Sequence, residues 1–197
     1  MENRTDRLRL PAENPMTRPN DRRDNGGRQP LRIRRAIGKD GEAIWQIFHA
    51  IVSQGDTYAF DPHISRQQAL AYWFSPKTRC YVALSEQKIV GTYILKANQP
   101  GLGSHVANAG FMVAPWAQGR GIGRVMAEHC LHEATRLGYR AMQFNFVVST
   151  NTTALRLWKS LGFKIAGRLP GAFRQRHDGF VDVYVMYRKL RPPPNSR

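Results

Sequence analysis

The chain has 197 residues and a mass of 22.4 kDa, with 42% hydrophobic residues, which supplies one well-buried core and is small for two. Its formal charge of +16 suits nucleic acid or small anionic ligands, yet the Lys and Arg residues are scattered rather than grouped with interleaved aromatics, which weighs against a nucleic-acid face. No run approaches the roughly twenty apolar residues that span a bilayer, no charged start precedes an apolar signal core, and Cys80 and Cys130 lack metal-ligand spacing; a soluble cytoplasmic protein with two buried thiols and no metal is expected.

Residues 1–30 hold few large apolar side chains, several prolines and the run Asp21 to Arg28, so they cannot bury enough surface to offset their ordering entropy. They are Arg-rich like an import sequence, but Glu2, Asp6, Glu13, Asp21 and Asp24 weigh against that alternative, because import sequences are acid-poor. A disordered basic tail over 1–30, one domain over 31–190 and a second disordered tail over 191–197, with three consecutive prolines, are expected.

Along the domain, Leu31 to Ala36 alternates apolar and basic residues and predicts a first strand. Asp40 is placed to cap a helix whose apolar face is Ile44, Trp45, Ile47, Phe48 and Ile51. After a polar turn at Ser53 to Asp56, Ser65 caps a second helix with Ala69, Leu70, Tyr72 and Trp73. Two β-rich runs, Cys80 to Leu84 and Ile89 to Leu95, flank Ser85-Glu-Gln-Lys88 as a hairpin. A loop from Gln99 to Ser104 precedes a strand from His105 to Val113. A helix follows from Ile122 to Leu137, ended by Gly138, and then a strand from Ala141 to Val148. Asn151 caps a short helix ending at Gly162, and strands at Phe163 to Gly167 and Phe180 to Tyr187 are expected to flank a loop from Leu169 to Gly179. The pattern predicts a single α/β domain with a mixed sheet and helices on both faces.

The most informative segment is Val113-Ala-Pro-Trp-Ala-Gln-Gly-Arg-Gly-Ile-Gly-Arg124, where a strand enters a glycine-rich turn and then a helix. Glycines at 119, 121 and 123 let the backbone approach a ligand, and the helix start offers unpaired N–H groups and partial positive charge, a cradle for phosphate. There is no Gly-Lys-Ser/Thr of a triphosphate loop and no acidic residue in register for a dinucleotide fold.

Gln118-Gly-Arg-Gly121-Ile-Gly123, following a strand that ends in Val-x-Pro, resembles the acetyl-CoA loop of the Gcn5-related N-acetyltransferases (GNAT). A second signature of that family, Asn-x-x-Ala, an aromatic and Gly-Phe, is matched by Asn151, Ala154, Trp158, Gly162 and Phe163. The resemblance covers about residues 31–190 and implies a mostly antiparallel sheet splayed between its fourth and fifth strands. It implies an enzyme that transfers acetyl from acetyl-CoA to an amine by direct attack in a ternary complex, with no metal and with homodimers frequent. By that resemblance, backbone groups of Phe111, Met112 and Val113 pair with pantetheine. Gln118, Gly119, Arg120, Gly121, Ile122, Gly123 and Arg124 hold the pyrophosphate, and Asn151 and Trp158 stand beside the cofactor. Many members carry Tyr at the position of Trp158 as a general acid, and an indole N–H cannot act as one at neutral pH.

A narrower resemblance, to the fungal acetyltransferases of L-azetidine-2-carboxylate and cis-4-hydroxyproline, rests on Asn108, Asn145 and Asn151. It implies that Asn108 orients the substrate amine and that Asn145 with the Phe146 N–H holds the acid group. Asparagine is disfavoured in strands, so two of them facing one cleft point to function over packing. His105 is the single titratable side chain among the strand candidates for a base, so positioning and a water chain are expected to dominate. His49, His63, His129, His132 and His177 show no ligand spacing. Trp45, Tyr58, Phe60, Tyr72 and Trp73 suit either core or acceptor pocket, and Arg174, Arg176 and His177 receive no role. The small-amine reading competes with acetylation of a protein or another amine, and with a non-catalytic acyl-CoA-binding module.

Overall fold

The computed structural model describes residues 31–190, so both expected tails lie outside the described residues. The first strand, β1 (Arg32–Arg35), ends in a tight turn closed by Asp40. The Asp40 carboxylate takes a two-point bond from Arg34 at 2.7 and 2.9 Å and a third from the Ile37 N–H at 2.8 Å. Asp40 stands at the cap of the following helix, α1 (Gly41–Val52), as expected, but its side chain accepts no helix N–H. A nearly buried carboxylate is better compensated by a guanidinium fork than by one amide, and the fork wins.

Helix α1 buries Ile44, Ile47, Phe48 and Val52, its i, i+3, i+4 stripe. Ser65 and Gln68 form the reciprocal cap of α2 (Arg66–Trp73). Strands β2 (Arg79–Ser85) and β3 (Lys88–Ala97) make the expected hairpin, with Glu86 and Gln87 both at positive φ as a mirror-image turn requires. Then follow β4 (Val106–Val113), α3 (Ile122–Arg136), β5 (Ala141–Val148) and α4 (Thr152–Ser160), whose cap Asn151 accepts the Ala154 N–H at 3.1 Å as expected.

The chain ends in β6 (Lys164–Gln175) and β7 (Gly179–Lys189). Here the expected loop from Leu169 to Gly179 is corrected: β6 continues to Gln175 and only Arg176 to Asp178 turn. Pro170 falls within this stretch, but β6 is the sheet's outer strand, and its register shifts between Leu169 and Phe173. An edge strand with a bulge tolerates a missing N–H.

The seven strands run in the order β1-β2-β3-β4-β5-β7-β6, antiparallel except where β4 meets β5. That parallel pairing consists of Val106 with Ala141 and Ala107 with Met142; beyond it the strands part. Alternation along β3 assigns the faces. Thr92 accepts the Trp73 indole N–H of α2 at 2.9 Å, whereas the Tyr93 hydroxyl meets His129 of α3 at 2.6 Å. One face is thus covered by α1 and α2, and the other by α3, with α4 beside it through Leu157 and Gly123. The largest core cluster joins β2 to β5 with α1 to α3 and takes in Trp158 of α4 and Met186 of β7, with a small cluster of Val148, Phe173 and Val183 on the far half. Cys80 and Cys130 are both buried, and burial pushes the Cys80 thiol up to about 12. No described helix is long and apolar enough to cross a membrane.

Candidate active site

Where β4 and β5 separate, a cavity of about 450 Å³ opens through the sheet. Tyr58, Phe60, Tyr72 and Trp73 line it from the α1–α2 side, and Ala154 and Trp158 from the α4 side. Between them stand Lys96 and Asn98 at the end of β3, Asn108 to Phe111 of β4 and Phe144 to Val148 of β5. Residues from both sides of the sheet thus line one cleft at the strand edge.

Where the ladder stops, side chains take over backbone groups at the edge. Asn108, one residue past the last β4–β5 pair, donates its Nδ2 to the Gln143 carbonyl at 2.8 Å. Tyr58 donates its hydroxyl to the Phe111 carbonyl at 2.7 Å. Burial raises the Tyr58 pKa far above that of a free phenol, so this donor keeps its proton. On β5 the pairing with β7 is interrupted between Phe144 and Val147, so Asn145 and Phe146 sit in a bulge whose backbone is released from the ladder. The Asn145 amide donates to Asn98 Oδ1 at 2.7 Å and accepts from Gln143 Nε2 at 2.8 Å. Trp158 is nearly buried, with ring centroids 5.1 Å from Phe111 and 4.6 Å from Phe144.

Among the sequence-expected site residues, Asn108, Asn145, Phe146, Phe111, Asn151 and Trp158 therefore line one cavity. Met112 is buried and absent from the lining, and its register opposite Thr92 turns its backbone groups toward β3 rather than the free edge, contrary to expectation. Val113 and Gln118 to Arg124 lie outside the lining, where β4 leads by a short turn into α3. Gly119 and Gly121 have φ of +75° and +76°, with no atom within 4 Å of an added Cβ, so conformation rather than crowding requires glycine there. Gly121 is the helix cap and has no side chain to satisfy the first N–H groups of α3. Arg120 and Arg124 flank this turn, bonded to Ser85 and Ser160. Open glycine backbone, free helix N–H groups and two guanidinium groups fit the pyrophosphate of coenzyme A.

Tyr58, Phe60, Tyr72 and Trp73 do line the cavity, whereas Trp45 packs on Phe48 and His49 instead. His105 bonds the Leu102 carbonyl in its own loop and is not a lining residue. Lys96 and Asn98 were missed by the sequence reading; they follow an apolar strand at alternate positions, a signal shared with any strand end. No aspartate or glutamate lines the cavity. Asp56, next to the lining residue Thr57, has a buried Oδ1 without a hydrogen-bond partner.

Comparison with known proteins agrees with this geometry. The model of the acetyltransferase (GNAT) family matches residues 43–163. N-acetyltransferase aca1 of Schizosaccharomyces pombe is 34% identical over 151 residues, covering 68% of this chain and 72% of that protein. The structure of a GCN5-related N-acetyltransferase from Kribbella flavida is similar with a TM-score of 0.78 and 44% identity, over 81% of this chain and 98% of that one. YncA from Salmonella typhimurium, solved with its cofactor acetyl-CoA, has the same fold with a TM-score of 0.74 at 22% identity, over 86% of this chain and 99% of that one. The chain belongs to the acetyltransferase (GNAT) family. It is an acetyl-CoA-dependent N-acetyltransferase, with acetyl-CoA as its acetyl donor.

Proposed function

We propose that this enzyme acetylates the amine of a small amino acid or proline analogue, with the two reactants approaching from opposite faces of the sheet and meeting where β4 and β5 part. The observation that carries the reading is the cavity through the splay, walled by aromatics and asparagines and free of lining carboxylates. Polyamines and aminoglycosides need acidic walls to offset their charge, and this cavity has none.

The acetyl donor supplies a thioester, which an amine attacks without a metal. In this reading the turn from Gln118 to Arg124 binds the pyrophosphate, and the Phe111 and Val113 backbone groups on the free edge of β4 align the pantetheine arm, while those of Met112 face β3. Asn108 orients the incoming amine from the mouth of the splay, where its Nδ2 is already bonded to Gln143 and its Oδ1 remains an acceptor. Asn145 and the Phe146 N–H, freed by the bulge, face the acid group. Backbone N–H groups of β4 polarise the thioester carbonyl. The C–N bond forms as the C–S bond breaks, and the proton lost by the amine is relayed through water to the departing thiolate. Trp158 contributes shape and not a proton, since its indole N–H is no acid at neutral pH. Most of the rate then comes from positioning.

The test is thiol release from acetyl-CoA with azetidine-2-carboxylate, cis-4-hydroxyproline, ordinary amino acids, polyamines and a lysine peptide. Turnover is expected with the proline analogues and is expected to fall roughly a hundredfold in Asn108→Ala and Asn145→Ala while thermal unfolding confirms a folded protein. Turnover confined to the lysine peptide, or indifference to both substitutions, would sink the reading.

A further inference from the structure

Lys96 is the residue on the acceptor side whose charge the fold leaves unmatched. It lies on β3 directly opposite Asn108 of β4, so the two side chains share the face toward α1 and α2. The residue is partly buried, and at the exposed end of the side chain the ammonium donates to the Tyr72 hydroxyl at 3.3 Å and sits 4.9 Å from the centre of the same ring. No carboxylate lies within ion-pair distance of it among the described residues, and none lines the cavity. An ammonium carries three donors, and a neutral hydroxyl satisfies one of them. At the wall of a cavity without carboxylates, the donors left over are placed to meet an anion that enters it.

We infer that Lys96, braced on the Tyr72 ring, is the carboxylate anchor of the acceptor pocket, and that the enzyme selects amines bearing a carboxylate close to the nitrogen. The inference rests on the small-amine reading above and deepens it. Asn108 and Lys96 stand at adjacent positions on paired strands, the reach that an amino or imino acid spans between its nitrogen and its acid group. Asn145 and the Phe146 N–H are neutral donors, and the Asn145 amide is already engaged by Asn98 and Gln143. Neutral donors favour a carboxylate over a carboxamide far less than a cation does. The phosphates of coenzyme A have their own cationic turn at the start of α3 on the other face, so Lys96 is not needed for the donor.

Two readouts test this. First, cyclopentanecarboxylate and cyclopentanecarboxamide, which have no amine and cannot react, are titrated into the full chain with coenzyme A present. The acid is expected to bind roughly 10–150-fold more tightly than the amide in the wild type and about equally in Lys96→Met, with Lys96→Arg recovering part of the preference. Second, the kcat/KM ratio of a proline analogue to its carboxamide is expected to collapse toward one in Lys96→Met. Equal binding of acid and amide to the wild type, or an acid preference that survives in Lys96→Met, overturns the inference whether or not any amine turns over. A Lys96-dependent acid preference without turnover of any small amine would support the anchor and defeat the small-amine reading. Thermal unfolding of Lys96→Met close to the wild type confirms that the loss is local.

Discussion

Single side chains at the cleft do two things at once. Asn108 joins the parting strands through Gln143 and faces the acceptor cavity, so its loss acts on both stability and turnover. Asn108→Ala is expected to cost about 1 kcal/mol of stability by denaturant unfolding, beyond its effect on kcat. Trp158 offers a contrast. Trp158→Phe keeps an aromatic against Phe111 and Phe144, and kcat is expected to stay within about threefold; a hundredfold loss would assign the indole N–H a catalytic task. Far from the cleft, Arg136 with the Tyr81 hydroxyl holds the Glu133 carboxyl at about 2, below its ordinary 4.5. A depressed folded-state pKa stabilises above the ordinary value and stops doing so as the pH falls through the depressed one. Melting temperatures of wild type and Glu133→Gln are therefore expected to differ at pH 6 and to converge as the pH falls from 4.5 to 2. A gap that persists to pH 2 would contradict this assignment.

At the scale of elements, two glycine positions that look alike in sequence carry different burdens. Gly121→Ala meets no atom within 4 Å but must hold φ of +76°, so about 1 kcal/mol of strain and a raised KM for acetyl-CoA are expected. Gly91→Ala would bring Cβ to 2.9 Å from Met126 Sδ and 3.2 Å from the Met112 carbonyl, wedging β3 away from α3 and β4. It is expected to lower the melting temperature more than Gly121→Ala does, and a ligand-free comparison of the two variants checks the order. The elements themselves were largely legible. The caps at Ser65 and Asn151, the end of α3 at Gly138 and the helical stripe of α1 are local signals, fixed by residues a few positions apart. Asp40 does stand at the cap of α1, but its side chain is taken by Arg34 across a turn, and the second half of β6 was missed because an edge strand with a bulge reads like a loop.

For the molecule as a whole, the sequence carries a formal charge of +16 and the donor is anionic. The KM for acetyl-CoA is expected to rise several-fold between about 0.1 M and about 1 M salt, as the screening length falls from about 10 Å to about 3 Å. A salt-independent KM would place the attraction in short contacts alone. The sequence by itself determined the α/β order, the two family signatures and the glycine turn, because each depends on neighbours along the chain. Tertiary structure alone decided what shares the cavity. Lys96, Asn98 and Asn108 meet Asn145 because β4 and β5 pair for two residues and then part, and the bulge on β5 exists only against β7. Such a site is built from strand register, and register is set by partners remote in sequence that a reading along the chain does not bring together.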